Sequence, residues 1–281
     1  MTIGNWLMGL VVSAAMAAGP APERFAYGPA ESQFGELWLP QPGVASAPVV
    51  VMIHGGCWLD SYGLDLMHRL SRDLRDHGVA VWNIEYRRLG ESGGGYPGTF
   101  TDVGMAVDTL RGLATRYPID VSRIAAVGHS AGGHLALWAA ARPRVPSASA
   151  LRSPTPLPIS YVVTLAGIDD LAAYHDRGPA CGGASTIDEL IDARRRGPAA
   201  YADTSPRALL PLGVPQLIVS GEEDGIVPAP FGHDYTALAA AAGDRAEPLD
   251  LPGDHFALID PSATGWPTVR RHILTALASG R

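Results

Sequence analysis

Short apolar runs alternate with longer stretches of helical periodicity from Pro22 onward. This alternation is typical of a mostly parallel β-sheet whose strands are connected by crossover helices, and it predicts the α/β class. Residues 48–53 form a continuous apolar run, largely β-branched, as expected of a strand buried on both faces. Residues 34–39 alternate and predict an early strand, for which an antiparallel orientation is one option. Further strands are predicted at 79–84, 123–127, 161–165, 216–220 and 246–251, and helices at 65–77, 100–116, 134–141, 231–242 and 264–278.

Residues 171–210 interrupt this alternation. The stretch has no strand pattern, contains several helix breakers and predicts one helix, at 187–196. We therefore expect a short, cap-like helical insertion over the edge of the sheet and over the site, and not a second domain. On this interpretation residues 19–281 form a single domain.

The amino-terminal segment has the pattern of a secretory signal. Residues 6–18 are apolar or small, and the run is too short to span a bilayer, which takes about 20 residues. Residues 1–5 lack the Arg or Lys that such signals usually carry. We expect a signal peptide at 1–18 and export to the periplasm or the exterior. The alternative is a packed or disordered tail on a cytoplasmic protein.

Composition excludes several classes of protein. The chain has 281 residues, 47% of them hydrophobic, and a formal net charge of −7. This supports a packed core, and an acidic chain without a basic tract is a poor partner for nucleic acid. All 21 basic residues are Arg. The absence of Lys excludes P-loop ATPases, pyridoxal phosphate enzymes and S-x-x-K β-lactamases, each of which needs a Lys for its chemistry.

Two cysteines, Cys57 and Cys181, are too few for a disulfide framework or a structural zinc site. They can pair with each other if the protein is exported. Two small buried hydrophobic residues are the commoner outcome for a distant pair, and the sequence leaves this open.

The pattern G-x-S-x-G occurs twice, in two different contexts. The copy at 90–94 lies in a Gly-rich connection with no strand before it, so we reject it. The copy at 128–132 follows the strand predicted at 123–127 and precedes a predicted helix. A strand, a sharp turn and a helix are what a nucleophile elbow requires, so Ser130 is the candidate nucleophile. An ordinary Gly-rich turn is the alternative.

A serine nucleophile needs a base and an acid that orients the base. His255 follows the strand predicted at 246–251, and Asp224 lies in the loop after the strand predicted at 216–220. The order Ser130, Asp224, His255 is the chain order expected where a nucleophile elbow carries the serine. Glu222 and Glu223 are the alternative acids, with solvated loop charge as their other interpretation.

The oxyanion of an acyl-transfer intermediate needs backbone N–H donors. Ala131, directly after the nucleophile, is one candidate. Gly55 and Gly56, with the N–H of Cys57 as a further option, follow the strand predicted at 48–53. His54 is expected to organise this loop. Two weaker candidates for the substrate pocket are Trp58 and His129, with packing in the core as the alternative.

At this point the chain resembles the α/β-hydrolase superfamily over residues 34–277. The pattern H-G-G-x-W at 54–58, together with G-H-S-A-G-G-H at 128–134, is similar to kynurenine formamidase-like and related esterase members. The segment 85–88, followed by Tyr96-Pro97 and Asp102, resembles the same group. Hormone-sensitive-lipase-type esterases usually carry a third Gly where Cys57 stands, and this difference favours the formamidase-like branch.

The resemblance implies an α/β-hydrolase fold with a mostly parallel central sheet flanked by helices. It assigns the same residues as the spacing does: Ser130, Asp224 and His255 as the triad, and Gly55, Gly56 and Ala131 as oxyanion donors. It does not identify the substrate, because one elbow serves many acyl groups.

These residues predict a serine hydrolase that cleaves small carboxylic esters by acyl transfer. An arylformamidase acting on amides of the N-formylkynurenine type is the first alternative. An exopeptidase-like hydrolase and a non-catalytic binding protein follow. The expected partner is a small-molecule ester or amide, without cofactor, metal, nucleic acid or stable membrane insertion. The sequence leaves the oligomeric state and the acyl and leaving groups open.

Overall fold

A mixed eight-stranded β-sheet is the core of the part of the chain that the computed structural model describes, residues 19–43, 46–178 and 180–279. The segment expected to be a signal peptide, 1–18, lies outside these residues. The strands are β1 (Glu23–Ala26), β2 (Phe34–Trp38), β3 (Ala47–Ile53), β4 (Ala80–Ile84), β5 (Ile119–His129), β6 (Tyr161–Leu165), β7 (Gln216–Gly221) and β8 (Ala246–Leu251). Their spatial order is β1-β2-β4-β3-β5-β6-β7-β8. The pairs β1–β2 and β2–β4 are antiparallel, and the other pairs are parallel.

Helices connect the strands. In the described residues they are α1 (His68–Asp76), α2 (Gly98–Leu113), α3 (Ala131–Ala141), α4 (Leu171–Arg177), α5 (Ala184–Ile191), α6 (Ala193–Arg196), α7 (Tyr201–Thr204), α8 (Ala229–Ala241) and α9 (Trp266–Ala278). Short 3₁₀ turns lie at Leu64–Met67, Arg142–Arg144, Gly197–Ala200, Pro206–Leu209 and Ala257–Ile259. No helix in the described ranges has both the length and the apolar character that a bilayer crossing needs.

The central strands are covered on both faces. Every residue of β4 is buried, as is every residue from 124 to 129 in β5. Because successive side chains of a strand point to opposite faces, complete burial means that helices pack on both sides of the sheet. This explains the continuous apolar run at 48–53, and it is the α/β architecture that the sequence predicted.

Several elements differ from the prediction. β1 was not predicted: it is four residues long, it is mostly exposed, and it pairs only with β2. β5 begins at Ile119 and not at residue 123, because its start pairs with Ala47 beside a register shift in β3. The helix predicted at 65–77 is a 3₁₀ turn followed by α1.

The helix predicted at 187–196 was wrong in extent. The chain turns at Asp192, which has the left-handed angles φ 56° and ψ 44°, and this turn separates α5 from α6. In its described residues, 171–178 and 180–210, the insertion contains the four short helices α4 to α7 where one was expected. Helices this short depend on packing, and Leu190 and Ile191 of α5 are fully buried.

The insertion rests on α3. The imidazole Nε2 of His134 lies 2.8 Å from the carbonyl oxygen of Thr204. The indole N–H of Trp138 donates to the carbonyl oxygen of Asp203 at 2.8 Å. Both donors lie on the helix that follows the G-x-S-x-G segment, so the insertion and the elbow share one support.

The two edges of the sheet are β1 and β8. In β8, Glu247, Pro248 and Asp250 are exposed, while Leu251 is buried. The loops after β3, β5, β6, β7 and β8 leave the carboxyl ends of parallel strands, which lie at one side of the sheet. In open α/β sheets this is the side on which ligands bind.

Candidate active site

A sharp turn between β5 and α3 carries Ser130. Its backbone has φ 54° and ψ −121°, a conformation that a residue with a Cβ adopts only under strain. A Cβ on Gly128 would lie 2.0 Å from the carbonyl oxygen of Gly132, and one on Gly132 would lie 2.2 Å from the carbonyl oxygen of Ile53. Both glycines are therefore required by close backbone contacts, and the turn has the form of a nucleophile elbow.

The elbow is held by its neighbours. The N–H of Ser130 donates to the carbonyl oxygen of Leu165 at 2.9 Å, which ties it to the end of β6. The N–H of Gly133 donates to the carbonyl oxygen of Ser130 at 2.9 Å. Ala131 is the first residue of α3, so its N–H is one of the donors that a helix start leaves unpaired.

His255 and Asp224 form a buried pair at the ends of β8 and β7. The Nδ1 of His255 lies 2.7 Å from Oδ2 of Asp224. The other carboxylate oxygen accepts hydrogen bonds from the N–H groups of Ile226 at 2.7 Å and Val227 at 2.8 Å. Burial alone would raise the pKa of Asp224, but the hydrogen bond and charge of His255 and these two N–H groups hold it below its ordinary value. Asp224 is therefore ionised at neutral pH, and Nε2 of His255 is left for a partner.

The alternative acids take no part in this pair. Glu222 and Glu223 are exposed at the surface, and their backbone N–H groups donate to the carbonyl oxygens of Leu251 and Gly253. These bonds join the loop after β7 to the loop after β8, which places Asp224 beside His255.

His129 joins the elbow to the His255 loop. Its Nε2 lies 3.0 Å from the carbonyl oxygen of His255, and the two rings are 4.5 Å apart between centroids. Burial and the nearby charge of His255 lower the pKa of His129 to about 3. The neutral ring therefore carries its proton on Nε2. His129 is 1% exposed, as buried as Ser130 at 2%, and it packs against His255; its place in the substrate pocket stays a prediction.

The candidate oxyanion loop lies against Ser130. A Cβ on Gly55 would meet the carbonyl oxygen of His129 at 2.7 Å and the Cβ of Ser130 at 3.0 Å. Gly56 has φ 99°, which glycine tolerates best, and the ring of Tyr62 packs against it. The structure thus brings the loop after β3 and the start of α3 to Ser130 from two sides.

His54 organises this loop from behind, as expected. Its Nδ1 lies 2.7 Å from the carbonyl oxygen of Gly55, and its Nε2 lies 2.7 Å from Oε1 of Glu85. The ring of Tyr86 stacks on that of His54, with centroids 4.4 Å apart, and the Tyr86 hydroxyl donates to the carbonyl oxygen of His54. Burial raises the pKa of Glu85, but the charge and hydrogen bond of His54, with the charge of Arg88, lower it overall.

Trp58 is buried in the core, which is the alternative that the sequence left open beside a role in the pocket. Its side chain is fully buried, and its indole N–H donates to Nδ1 of His134 at 3.2 Å. Burial lowers the pKa of His134 to about 4, so the neutral ring accepts from Trp58 and donates from Nε2 to Thr204. This chain of contacts fixes the end of the candidate oxyanion loop to α3.

Two exposed aromatic residues beside the site were not identified from the sequence. Tyr62 is 45% exposed and Phe256 is 54% exposed. The N–H of Phe256 donates to the carboxylate of Asp254, which holds the ring next to His255 at 5.3 Å between centroids. The sequence signal that could have identified Phe256 is its position directly after His255, the candidate base. Both rings offer apolar surface next to the reacting groups.

The second G-x-S-x-G segment has no such environment. Ser92 is exposed in a turn between β4 and α2, without a strand leading into it. The rejection of this copy from its context agrees with its position in the structure.

Asp169 is a buried carboxyl group in the loop after β6. It is 2% exposed and accepts a hydrogen bond from the hydroxyl of Thr164 at 3.2 Å. Its Oδ1 has no hydrogen-bond partner within the described residues. Burial, with a smaller contribution from the charge of Asp170, raises the pKa of Asp169 to about 7. Asp170 itself caps α4 by accepting from the N–H groups of Ala172 and Ala173.

Replacing Asp169 with asparagine is expected to increase stability more at high pH than at low pH. The folded protein keeps a proton that the unfolded chain releases from about pH 4 upward, so Asp169 destabilises the wild type as the pH rises toward 7. We expect the free energy of unfolding of the variant, relative to wild type, to grow by about 4 kcal/mol between pH 4 and pH 8. Urea unfolding of both proteins at each pH measures it. Glu223→Gln is the exposed control, and a difference independent of pH would contradict the prediction.

Comparison with known proteins gives a family match and relatives. Residues 36–236 match the model of a family described as BD-FAE. Esterase LipC from Mycobacterium tuberculosis (strain ATCC 25618 / H37Rv) is 26% identical over 252 residues, covering 86% of this chain and 61% of LipC. The chain thus spans less than two thirds of that relative's length.

Two solved structures share the fold. A truncated form of a carbohydrate esterase from gut microbiota has a TM-score of 0.78 at 22% identity, covering 93% of this chain and 99% of that chain. Esterase B from Lactobacillus Rhamnosis (HN001) has a TM-score of 0.77 at 19% identity, covering 94% of this chain and 87% of that chain. These matches confirm the α/β-hydrolase fold that the sequence predicted.

Proposed function

We propose that this chain, which belongs to the BD-FAE family, is a serine hydrolase that cleaves small carboxylic esters through an acyl-enzyme intermediate. Its main support is the buried pair of His255 and Asp224, with 2.7 Å between Nδ1 and Oδ2, on loops that contact the strained elbow at Ser130. The relatives named above are esterases by name, which favours an ester over an amide.

Acylation begins at Ser130. Its Oγ attacks the carbonyl carbon of the ester while Nε2 of His255 accepts the hydroxyl proton. The carbonyl oxygen becomes an oxyanion that accepts hydrogen bonds from the N–H groups of Gly55, Gly56 and Ala131. His255 then donates its proton to the leaving alcohol oxygen as the bond from that oxygen to the acyl carbon breaks.

Deacylation repeats these steps with water. His255 takes a proton from the water molecule, the resulting hydroxide attacks the acyl carbon, and the proton returns to Oγ of Ser130 as the carboxylic acid leaves. Asp224 stays ionised throughout, because its pKa is held below the ordinary value, and it stabilises the imidazolium that forms twice in each cycle.

Hydrolysis of an aryl formamide is the second candidate. It is favoured by the exposed rings of Tyr62 and Phe256, which lie beside the oxyanion loop and the base and offer a flat apolar surface to an aromatic leaving group. Both reactions use the same triad, and they differ in the acyl group that is transferred and in the leaving group that His255 protonates.

A fluorophosphonate tests the proposal directly. The reagent phosphonylates activated serines, so intact mass should show one adduct on the wild type and none on Ser130→Ala. Initial rates on short-chain esters and on N-formyl aryl amines then separate the two candidates, and we expect the esters to be faster. A folded wild type that neither labels nor hydrolyses any of these compounds would contradict the proposal and favour a non-catalytic binding protein.

A further inference from the structure

A disulfide bond joins Cys57 to Cys181, across 124 residues of sequence. Cys57 directly follows Gly56 in the candidate oxyanion loop, 54–58. Cys181 lies between α4 and α5, in the insertion. The bond therefore connects the backbone proposed to receive the oxyanion to the short helices that pack over α3.

The oxyanion loop has a conformation that needs external support. Cys57 has φ 55° and Trp58 has φ 58°, so two consecutive residues with a Cβ adopt the left-handed region. Each such residue costs roughly 1–2 kcal/mol. On one side the loop is held by Trp58, whose carbonyl oxygen accepts from the N–H of Leu89 at 2.8 Å and whose indole contacts His134. On the other side, the disulfide holds Cys57.

The insertion presents a turn of three positive-φ residues at this point, of which Cys181 alone carries a Cβ. Cys181, Gly182 and Gly183 have φ of 58°, 69° and 65°. In the described residues, the hydrogen bonds of this turn stay within the insertion. Examples are the N–H of Gly183 to the carbonyl oxygen of Ala180 at 3.1 Å, and the hydroxyl of Ser185 to the carbonyl oxygen of Gly182 at 2.9 Å. The disulfide joins this turn directly to the oxyanion loop.

We infer that the Cys57–Cys181 disulfide is a positioning crosslink for the reaction: by holding Cys57, it fixes the adjoining N–H groups of Gly55 and Gly56 where the oxyanion forms. This inference rests on the proposed function. Oxyanion donors lower the barrier only if they are in place before the charge develops, because reorienting them during the reaction costs the energy that they supply. A loop released from the crosslink should therefore lose transition-state stabilisation while binding the neutral ester almost as well.

Reduction of the native protein tests this inference. The chain has two cysteines, so a phosphine reductant acts on this bond alone. The phosphine supplies two electrons and water supplies two protons, which gives two thiols, and the oxygen of that water converts the phosphine to its oxide. We expect kcat on a short-chain ester to fall about 10- to 100-fold and KM to change less than threefold. The pH profile of kcat should keep its shape, because the His255–Asp224 pair is untouched. Reoxidation should restore the rate, since two thiols can form only one bond within the chain.

A variant separates the crosslink from the reagent. Cys181→Ser breaks the bond and leaves every residue of the oxyanion loop in place. It should show the reduced kcat and no further response to the phosphine. Ser185→Ala is the matched control: it removes a hydrogen bond of the same exposed turn but keeps the disulfide, and it should retain the wild-type rate. Near-UV circular dichroism of each form, at the assay temperature, reports whether the core is intact.

Equal kcat in the oxidised, reduced and Cys181→Ser forms would overturn the inference. So would a large rise in KM with unchanged kcat, which would place the crosslink at substrate binding. A loss of kcat that occurs only together with loss of the near-UV signal would assign the bond to stability alone. If the oxidised wild type neither hydrolyses esters nor labels at Ser130, the proposed function itself fails, and the inference fails with it.

Discussion

Replacing Ser130 with alanine should lower kcat/KM on a good ester substrate by about 10⁵- to 10⁶-fold, to the residual rate that binding and the oxyanion donors provide. The Oγ is the attacking atom in the proposed reaction, and no hydroxyl replaces it in the variant. The fold should be unaffected, because alanine keeps the Cβ and meets the same backbone strain at φ 54° as serine does. Steady-state rates measure the loss of kcat/KM. Thermal unfolding of the same samples shows whether the fold is unaffected.

Ser92→Ala is the control for that measurement. It removes the serine of the other G-x-S-x-G segment, which lies exposed in a turn, and it should keep the wild-type rate. Wild-type turnover in Ser130→Ala would show that another group is the nucleophile.

Replacing Asp224 with asparagine should lower kcat about 10⁴-fold with little change in structure. Oδ1 of Asp224 accepts from the N–H groups of Ile226 and Val227, so the amide oxygen of asparagine will take that position. The amide NH₂ then faces Nδ1 of His255, which must accept a hydrogen bond and carry its proton on Nε2. In that tautomer, Nε2 of His255 cannot take the proton of Ser130.

Glu222→Gln and Glu223→Gln are matched controls in the same loop, each removing one exposed negative charge. Both should stay within about twofold of the wild type, because exposed charges are well screened. A large loss in Glu222→Gln with none in Asp224→Asn would assign the orienting acid to Glu222.

The sequence correctly predicted the strands whose ends are marked by residues next to them in the chain. β6 and β8 have the predicted bounds, because each is a short apolar or alternating run with breakers on both sides. Ser130, Asp224 and His255 were chosen by their positions just after strands. The structure places the three loops at one side of the sheet because parallel strands end together there.

Features that depend on contacts between residues far apart in the chain could not be predicted from the sequence. The chain turns at Asp192 between α5 and α6, inside a stretch whose sequence pattern predicted one continuous helix. The sequence left Trp58 open between the pocket and the core, because its contact with His134 joins residues that are 76 positions apart in the chain. The pairing of Cys57 with Cys181 was left open for the same reason: a spacing of 124 residues carries no signal about proximity.

The exposed edge formed by β8 affects how the protein meets other molecules of its kind. A free edge strand offers unpaired N–H and carbonyl groups on which another chain can extend the sheet, which is a route to aggregation. Pro248 has no N–H to offer, and Glu247 and Asp250 would bring like charges together if two such edges approached. The residues of β8 therefore disfavour the addition of a further strand to the sheet. Copies of the molecule at high concentration should have little tendency to join into a continuous sheet along this strand.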